Sequence, residues 1–144
     1  MARFSHRCPL RWSDLDAFGH VNNSRFLTLY EEARVALFFN VAKESGMSFE
    51  EGVVVARHEI DYKRVLDYTE TVRIQMWIGD ISNSSFTIEY EMYDEDRLVS
   101  TAKTVAVMYD LEQRRPRRVR PAEREYLETW QDSRAADPPR TPGD

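Results

Sequence analysis

Residues 13–40 read SDLDAFGHVNNSRFLTLYEEARVALFFN and join a polar loop to a segment with helical periodicity. From about Ser24 to Asn40, the apolar side chains recur at the spacing of one helix face, namely Phe26, Leu29, Tyr30, Ala33, Ala36 and Leu37. Asn22, Asn23 and Ser24 are residue types that cap a helix N-terminus, and Gly46 is expected to end the helix. The stretch therefore predicts one long helix preceded directly by a loop rich in Asp, Gly and Asn.

Alternation of apolar and polar residues replaces the helical period after Gly52. The sequence predicts a first strand in residues 4–12 and four further strands in residues 54–63, 71–78, 85–92 and 98–109. The turns between the later strands are short, which forces those neighbours to be antiparallel. With a short helix from Pro121 to about Trp130, this order predicts an α+β fold in which one long helix packs on an antiparallel sheet.

Length and composition fit one compact domain, because the chain has 144 residues, of which 42% are hydrophobic and 31% charged. We expect residues 1–131 to form that domain and the Pro- and charge-rich residues 132–144 to be a disordered tail. The net charge of -5 argues against nucleic acid as a partner. Cys8 is the only cysteine, and no long apolar run precedes the domain. A soluble cytoplasmic protein without membrane partners or a metal site is therefore expected.

The polar loop places carboxylates next to the start of the long helix. Unpaired N–H groups and the helix dipole at such a start can stabilise a developing oxyanion. A nearby ionised carboxylate could attack a carbonyl held there or activate water against it. Together the two features suggest an acyl-transfer site.

Three other interpretations of the loop compete with that one. Asp14, Asp16 and Gly19 fit the first positions of a calcium loop, but Arg25 stands where a bidentate Glu is required. The Asp-x-Asp spacing also occurs in aspartyl-phosphate chemistry, yet no buried parallel strand precedes it. The loop residues could, thirdly, do no more than cap the helix, and residue spacing alone does not decide between this interpretation and the catalytic one.

The segment from Asp16 to Asn23, DAFGHVNN, and the helix residues FLTLYEEAR that follow closely resemble the hotdog-fold acyl-CoA thioesterases of the 4-hydroxybenzoyl-CoA thioesterase-like superfamily. The downstream segment HEIDYKR, residues 58–64, extends the resemblance, although Val65 stands where the family usually has proline. The similarity covers about residues 4–130. It implies one long central helix wrapped by a curved antiparallel sheet of about five strands.

By that resemblance, Asp16 is the catalytic carboxylate and the backbone N–H of Asn23 polarises the thioester carbonyl. Gly19, His20 and Asn22 are then supporting residues of the loop. Asp14 is a competing assignment for the carboxylate. Whether Asp16 acts as nucleophile or directs a water stays open.

Other candidates carry weaker signals. His58 lies on the predicted apolar face of its strand, which favours a core or interface residue over a catalyst. The arginines between Arg114 and Arg120 are candidates for coenzyme A phosphates, as are Arg57, Lys63 and Arg64. We expect solvated or interface positions for Glu31 and Glu32, and core or pocket-wall positions for Trp12, Phe18, Phe26 and Tyr30.

The resemblance implies an acyl-CoA thioesterase that needs no cofactor, since coenzyme A is part of the substrate. It also implies a homodimer or homotetramer with the site at a subunit interface. The alternatives are a hotdog enoyl-CoA hydratase or dehydratase and a non-catalytic protein that binds acyl-CoA or an acyl carrier. The acyl group is not determined by the sequence.

Overall fold

The computed structural model describes residues 3–49 and 52–132. A 3-10 turn at Trp12–Asp14 follows the first strand, and a π-helical segment, Ala36–Val41, continues the long helix. The remaining elements are β1 Phe4–Pro9, α1 Asn23–Val35, α2 Ala42–Glu44, β2 Val53–Tyr62, β3 Thr71–Ile81, β4 Ser85–Asp94, β5 Arg97–Asp110, β6 Arg115–Pro116 and α3 Pro121–Thr129. None of the described helices is long and apolar enough to cross a membrane.

The strands form one antiparallel sheet in the order β1-β3-β4-β5-β2, with the two-residue β6 paired to β5. Helix α1 buries Phe26, Leu29, Tyr30 and Ala33, which join the inward side chains of the sheet in one core cluster. Tyr30 and Tyr90 pack ring to ring at 4.8 Å, and the Tyr30 hydroxyl donates to Ser100 Oγ at 2.7 Å. The predicted α+β hotdog arrangement is confirmed.

The long helix differs from the prediction in its last turns. We predicted regular α-helical periodicity to Asn40, but α1 ends at Val35 and the π-helical segment follows. Three consecutive residues of that segment, Ala36, Leu37 and Phe38, are all buried. An α-helix turns 100° per residue and cannot hold three successive side chains on a narrow stripe, so the wider turn accommodates them.

Strand β2 lies at one edge of the sheet and is exposed along almost its whole length. The prediction of a buried apolar face for this strand is wrong for the single chain. A β-bulge between Val55 and Arg57 interrupts the alternation, and β2 has a neighbouring strand on one side only. The same exposure applies to His58, which was predicted to lie on that face.

The C-terminal segment begins with a basic stretch that we predicted to be a loop. Part of it pairs with β5 as β6, and the Arg117 side chain turns inward to the buried carboxylate of Glu123, with N–O distances of 2.8 and 2.9 Å. Asp132 accepts a hydrogen bond from Arg3 Nε at 2.5 Å. The rest of the predicted tail, residues 133–144, lies outside the described residues.

Candidate active site

The polar loop forms a tight turn in front of α1. Leu15 and Val21 pair as a short antiparallel bridge. Within it, Asp16 N–H donates to His20 O at 2.7 Å and Gly19 N–H donates to Asp16 O at 3.1 Å. Gly19 has a φ of 79°, which a residue with a Cβ adopts only with strain. The sequence DAFGH therefore folds back on itself and fixes the backbone of Asp16.

The Asp16 carboxylate is held by backbone donors from its own turn. Its Oδ1 accepts from Phe18 N at 2.9 Å and from His20 N at 3.3 Å. No described residue donates a hydrogen bond to Oδ2. One oxygen is thus fixed in place while the other is available to a ligand.

The first turn of α1 provides a backbone donor beside this carboxylate. Asn22 is the N-cap, and its Oδ1 accepts from Ser24 N at 2.9 Å and from Ser24 Oγ at 2.8 Å. The backbone N–H of Asn23 donates to no described residue. An unpaired N–H at a helix start carries a partial positive charge, so Asn23 offers a place for an oxyanion.

Asp14, the competing candidate, has a different environment. It is 3% exposed, and its Oδ2 accepts from Arg11 N at 2.8 Å. The side chains of Arg11 and Arg25 approach its Oδ1 to 3.8 and 3.9 Å. Its backbone oxygen accepts from Asn22 N at 2.8 Å, so Asp14 ties the loop to the helix start.

A cavity of about 400 Å³ opens beside the helix start and is lined by Asp16, His20, Val21, Asn23, Phe26, Tyr62, Lys63, Arg64, Val65 and Leu66. Asp14 is not among the lining residues. The side chain of Tyr62, at the end of β2, contacts the start of α1. Its hydroxyl donates to Asn23 O at 3.1 Å, and its ring packs edge-on against Phe26 with 5.1 Å between the ring centroids. His20 Nε2 lies 3.6 Å from the exposed carboxylate of Asp67.

Sequence reasoning did not assign Tyr62 or Asp67 to the site. Tyr62 follows the motif by about forty residues and reaches it through contacts of its side chain with Asn23 and Phe26. Asp67 lies at the site because it forms a β-bridge with His20. The segment containing Tyr62 had been noted for its resemblance, but nothing in its local pattern indicated a contact with Asn23.

Several other candidates lie away from this cavity. Trp12 and Phe18 are 81% and 84% exposed, so the prediction of core or pocket-wall positions is wrong for both, whereas Phe26 and Tyr30 are buried as predicted. Trp12 begins the 3-10 turn and Phe18 lies at the tip of the turn closed by Asp16, and both side chains project away from the core. Glu31 and Glu32 are exposed on α1, and Arg57 pairs with Glu59 on β2.

His58 contacts the core through its ring. Its Nδ1 is 2.9 Å from Thr104 Oγ1, and Thr104 also accepts from the Tyr90 hydroxyl at 2.9 Å. Partial burial lowers the pKa of His58, the positive charge of Arg34 lowers it further, and Glu31 opposes both. His58 is therefore neutral near pH 7 and lies outside the cavity that contains Asp16.

Within residues 3–49 and 52–132, no three His, Cys, Asp or Glu side chains cluster as metal ligands would. The groups gathered at the cavity are a carboxylate, an unpaired helix N–H and, at the rim, two cations, Lys63 and Arg64. This set can polarise a carbonyl, supply a nucleophile or base, and attract an anionic group of the same ligand.

Comparison with known proteins gives concordant results. Residues 10–130 match the thioesterase-like superfamily. The chain is 32% identical to the uncharacterized protein YsmA of Bacillus subtilis over 89 residues, which are 60% of this chain and 58% of YsmA. This match thus spans less than two thirds of that relative.

Two solved structures are similar over most of their length. One is a predicted thioesterase from Bacillus stearothermophilus, with a TM-score of 0.79, 27% identity and coverage of 92% of this chain and 100% of that one. The other is a thioesterase from Thermus thermophilus in complex with coenzyme A and zinc, with a TM-score of 0.76, 28% identity and coverage of 88% and 93%.

Proposed function

Because the chain belongs to the thioesterase-like superfamily, we propose that it hydrolyses the thioester of an acyl-coenzyme A to a carboxylic acid and free coenzyme A. The observation that carries the proposal is that the free oxygen of Asp16 and the unpaired N–H of Asn23 belong to residues lining one cavity. The coenzyme A bound by the Thermus thermophilus thioesterase supports the same ligand class here.

In the proposed reaction, the thioester oxygen accepts a hydrogen bond from Asn23 N–H. The α1 dipole then stabilises the negative charge that develops on this oxygen when the carbonyl is attacked. The attacking oxygen comes from Asp16, which would form an anhydride, or from a water that Asp16 deprotonates. In either route the carbon–sulfur bond breaks, coenzyme A leaves as a thiolate that is protonated from water, and one water is consumed in forming the product acid.

The two routes differ in where the first oxygen goes. In a single turnover in ¹⁸O-labelled water, an anhydride that is attacked by water at its Asp16 carbonyl carbon places ¹⁶O from Asp16 in the product and ¹⁸O in the protein. The water route places ¹⁸O in the product at once and leaves Asp16 unlabelled. If mass spectrometry finds ¹⁸O in the peptide that contains Asp16, the reaction passes through the anhydride.

We further propose that the protein works as a homodimer joined along β2. The edge of β2 carries Val53, Val54 and Val55, which are 37%, 36% and 44% exposed. The adjoining face of α1 and the π-helical segment exposes Val35 and Phe39 at 42% and 44%. A long apolar edge strand is an aggregation hazard for a monomer and a ready interface for a second copy.

The test of the activity is hydrolysis of a panel of acyl-CoA esters that differ in chain length and aromaticity, followed by release of free thiol. We expect Asp16→Ala and Asp16→Asn to lower kcat at least about a hundredfold. Asp80→Ala is the matched control, because this carboxylate is exposed on a strand remote from the cavity. Equal rates for wild type and Asp16→Ala would contradict the assignment.

Tight acyl-CoA binding without turnover would favour a binding protein, and hydration of crotonyl-CoA would favour a hydratase.

A further inference from the structure

A second cavity, of about 280 Å³, lies toward the end of α1 that is remote from Asp16. Its walls come from α1, the π-helical segment and the strands β2, β4 and β5, and most of the lining side chains are apolar, among them Val35, Phe38, Phe49, Val53, Val55 and Phe86. The charged residues among those that line it are Glu31 and Arg34. We call this cavity the Arg34 pocket.

The guanidinium of Arg34 is held in place by a neutral partner. It is half-buried, and its Nη1 donates to the Tyr90 hydroxyl oxygen at 3.1 Å. Tyr90 in turn donates its own proton to Thr104 Oγ1 at 2.9 Å, so the Tyr90 oxygen is left to accept from Arg34. No carboxylate of the described residues lies within ion-pair distance of Arg34. The contact with Tyr90 therefore fixes the guanidinium without neutralising its charge.

An arginine keeps its charge in a protein, and a charged group in an apolar wall is stabilised best by a group of opposite charge. A carboxylate is the best match, because it accepts two parallel hydrogen bonds from one guanidinium. Glu31 does not supply this match, since it is exposed and does not reach Arg34. The Arg34 pocket is thus complementary to an apolar chain that ends in a carboxylate.

One face of α1 leads from the Asp16 cavity to the Arg34 pocket. Asn23, Leu27, Glu31 and Arg34 follow one another at intervals of four, four and three residues, which places them along the same side of the helix. Leu27 is 40% exposed and offers an apolar contact between the two cavities. The rise from Asn23 to Arg34 is about 16 Å. At roughly 1.2 Å per bond, an extended chain of about thirteen bonds covers that distance.

We infer that the Arg34 pocket binds the far end of the acyl group, and that this end carries a carboxylate that pairs with Arg34. The substrate class is then the coenzyme A monothioester of a dicarboxylic acid rather than that of a simple fatty acid. The inference rests on the proposed function, because the thioester must lie at Asp16 and Asn23 while the far end of the chain reaches Arg34.

The first test uses the wild-type protein and pairs of thioesters of equal length, from four to sixteen carbons. One member of each pair ends in a carboxylate and the other in a methyl group. At the best length, we expect kcat/KM to be about tenfold higher for the carboxylate-ended thioester. The matching thioester with a terminal ammonium group should be the poorest of the three, because Arg34 repels it. If the methyl-ended thioester is hydrolysed as well as its partner at every length, the inference is wrong.

The second test compares Arg34→Met with Arg7→Met. Methionine keeps a long side chain in the pocket but removes the charge, and Arg7 is an exposed arginine on β1. For Arg34→Met we expect KM for the carboxylate-ended thioester to rise about tenfold with kcat little changed. KM for the methyl-ended thioester should not rise, which also shows that the variant is folded. Arg7→Met should change neither value. Equal losses on both substrates in Arg34→Met would mean that Arg34 has only a structural role, and would overturn the inference.

Calorimetry with two thioether analogues separates this inference from the proposed function. The probes are S-dodecyl-coenzyme A and S-(11-carboxyundecyl)-coenzyme A, neither of which can be hydrolysed. We expect Kd to be about tenfold lower for the carboxylated probe in the wild type and equal for both probes in Arg34→Met. If no acyl-CoA is hydrolysed but this difference is found, the thioesterase proposal fails while the carboxylate pocket stands. If wild type binds both probes equally, the carboxylate pocket is refuted, whatever the activity.

Discussion

The two edges of the sheet contrast sharply. Strand β1 has six residues, keeps an alternating burial pattern, and ends at a proline that cannot donate to a further strand. Strand β2 has ten residues, is exposed on both faces, and shows three consecutive valines to solvent. Natural proteins shorten or charge the edges that must stay unpaired. The β1 edge follows that rule, whereas β2 carries charges only from Arg57 onward and leaves its first three residues apolar. This is the pattern expected when one edge closes the domain and the other joins a second copy.

The largest predicted effect comes from placing a charge on the β2 edge. Val55→Lys introduces an ammonium group where a second copy would bury the side chain. We expect the dimer to dissociate at micromolar concentration and acyl-CoA hydrolysis to fall more than about tenfold, because the cavity loses its neighbour. Light scattering reports the mass and the thiol assay reports the rate.

The same charge on the other edge provides the control. Ser5 is exposed on β1, so Ser5→Lys should change neither mass nor activity. Both substitutions are at exposed positions of the single chain, and each should alter the free energy of unfolding of a monomer by no more than about 0.5 kcal/mol. If the wild-type protein is monomeric, or if the dimer persists in Val55→Lys, β2 is not the dimer interface and the proposed difference between the two edges is wrong.

Sequence periodicity predicted most of this fold because the signals are local. The face formed by Phe26, Leu29 and Tyr30 repeats within one helix, and the strands after residue 70 alternate in the way their burial later shows. The π-helical segment escaped prediction because its apolar residues also fit an α-helix to Leu37. Only packing shows that Phe38 is buried as well.

The site was predictable where its residues are contiguous. The loop from Asp16 to Asn23 contains the carboxylate, the turn glycine and the cap within eight residues. Tyr62 and Asp67 were missed because chain topology, not local spacing, brings them to that loop. Charge alone also failed to separate Arg117 from its neighbours, since the difference lies in Glu123 on α3.

A smaller effect, on the free energy of unfolding, is expected at the β1 edge. Just before β1, the Arg3 guanidinium pairs with Glu91 and Asp132 and lies 3.8 Å from the centre of the Trp77 ring. Arg3→Ala should lower the free energy of unfolding by about 1–3 kcal/mol, because it removes the guanidinium that pairs with the partly buried carboxylates of Glu91 and Asp132. Urea denaturation measures the change. Arg7→Ala, an exposed position on the same strand, should cost less than about 0.5 kcal/mol, and a similar loss in both variants would argue against a specific clamp.

The smallest predicted effect concerns the ion pair between Arg117 and Glu123, which links α3 to the end of β5. Burial alone would raise the pKa of Glu123, but the hydrogen bonds from Arg117 and from Arg120 N–H lower it below its usual value. A carboxyl group whose pKa is lower in the folded state stabilises the fold above its unfolded pKa, near 4.5, and this stabilisation is lost as the pH falls through the folded pKa.

Wild type should therefore lose about 1 kcal/mol more than Glu123→Gln when unfolding is measured at pH 7 and again at about pH 3. In Arg117→Ala, the pKa of Glu123 should rise because burial is no longer opposed by the guanidinium, so the acid-induced loss of stability from Glu123 should shrink. Identical pH dependence in wild type and Glu123→Gln would show that this pair contributes nothing. Because the pair lies within one chain, its effect should not depend on protein concentration, whereas the effect of Val55→Lys should. That difference separates a contact within one chain from the proposed contact between two copies.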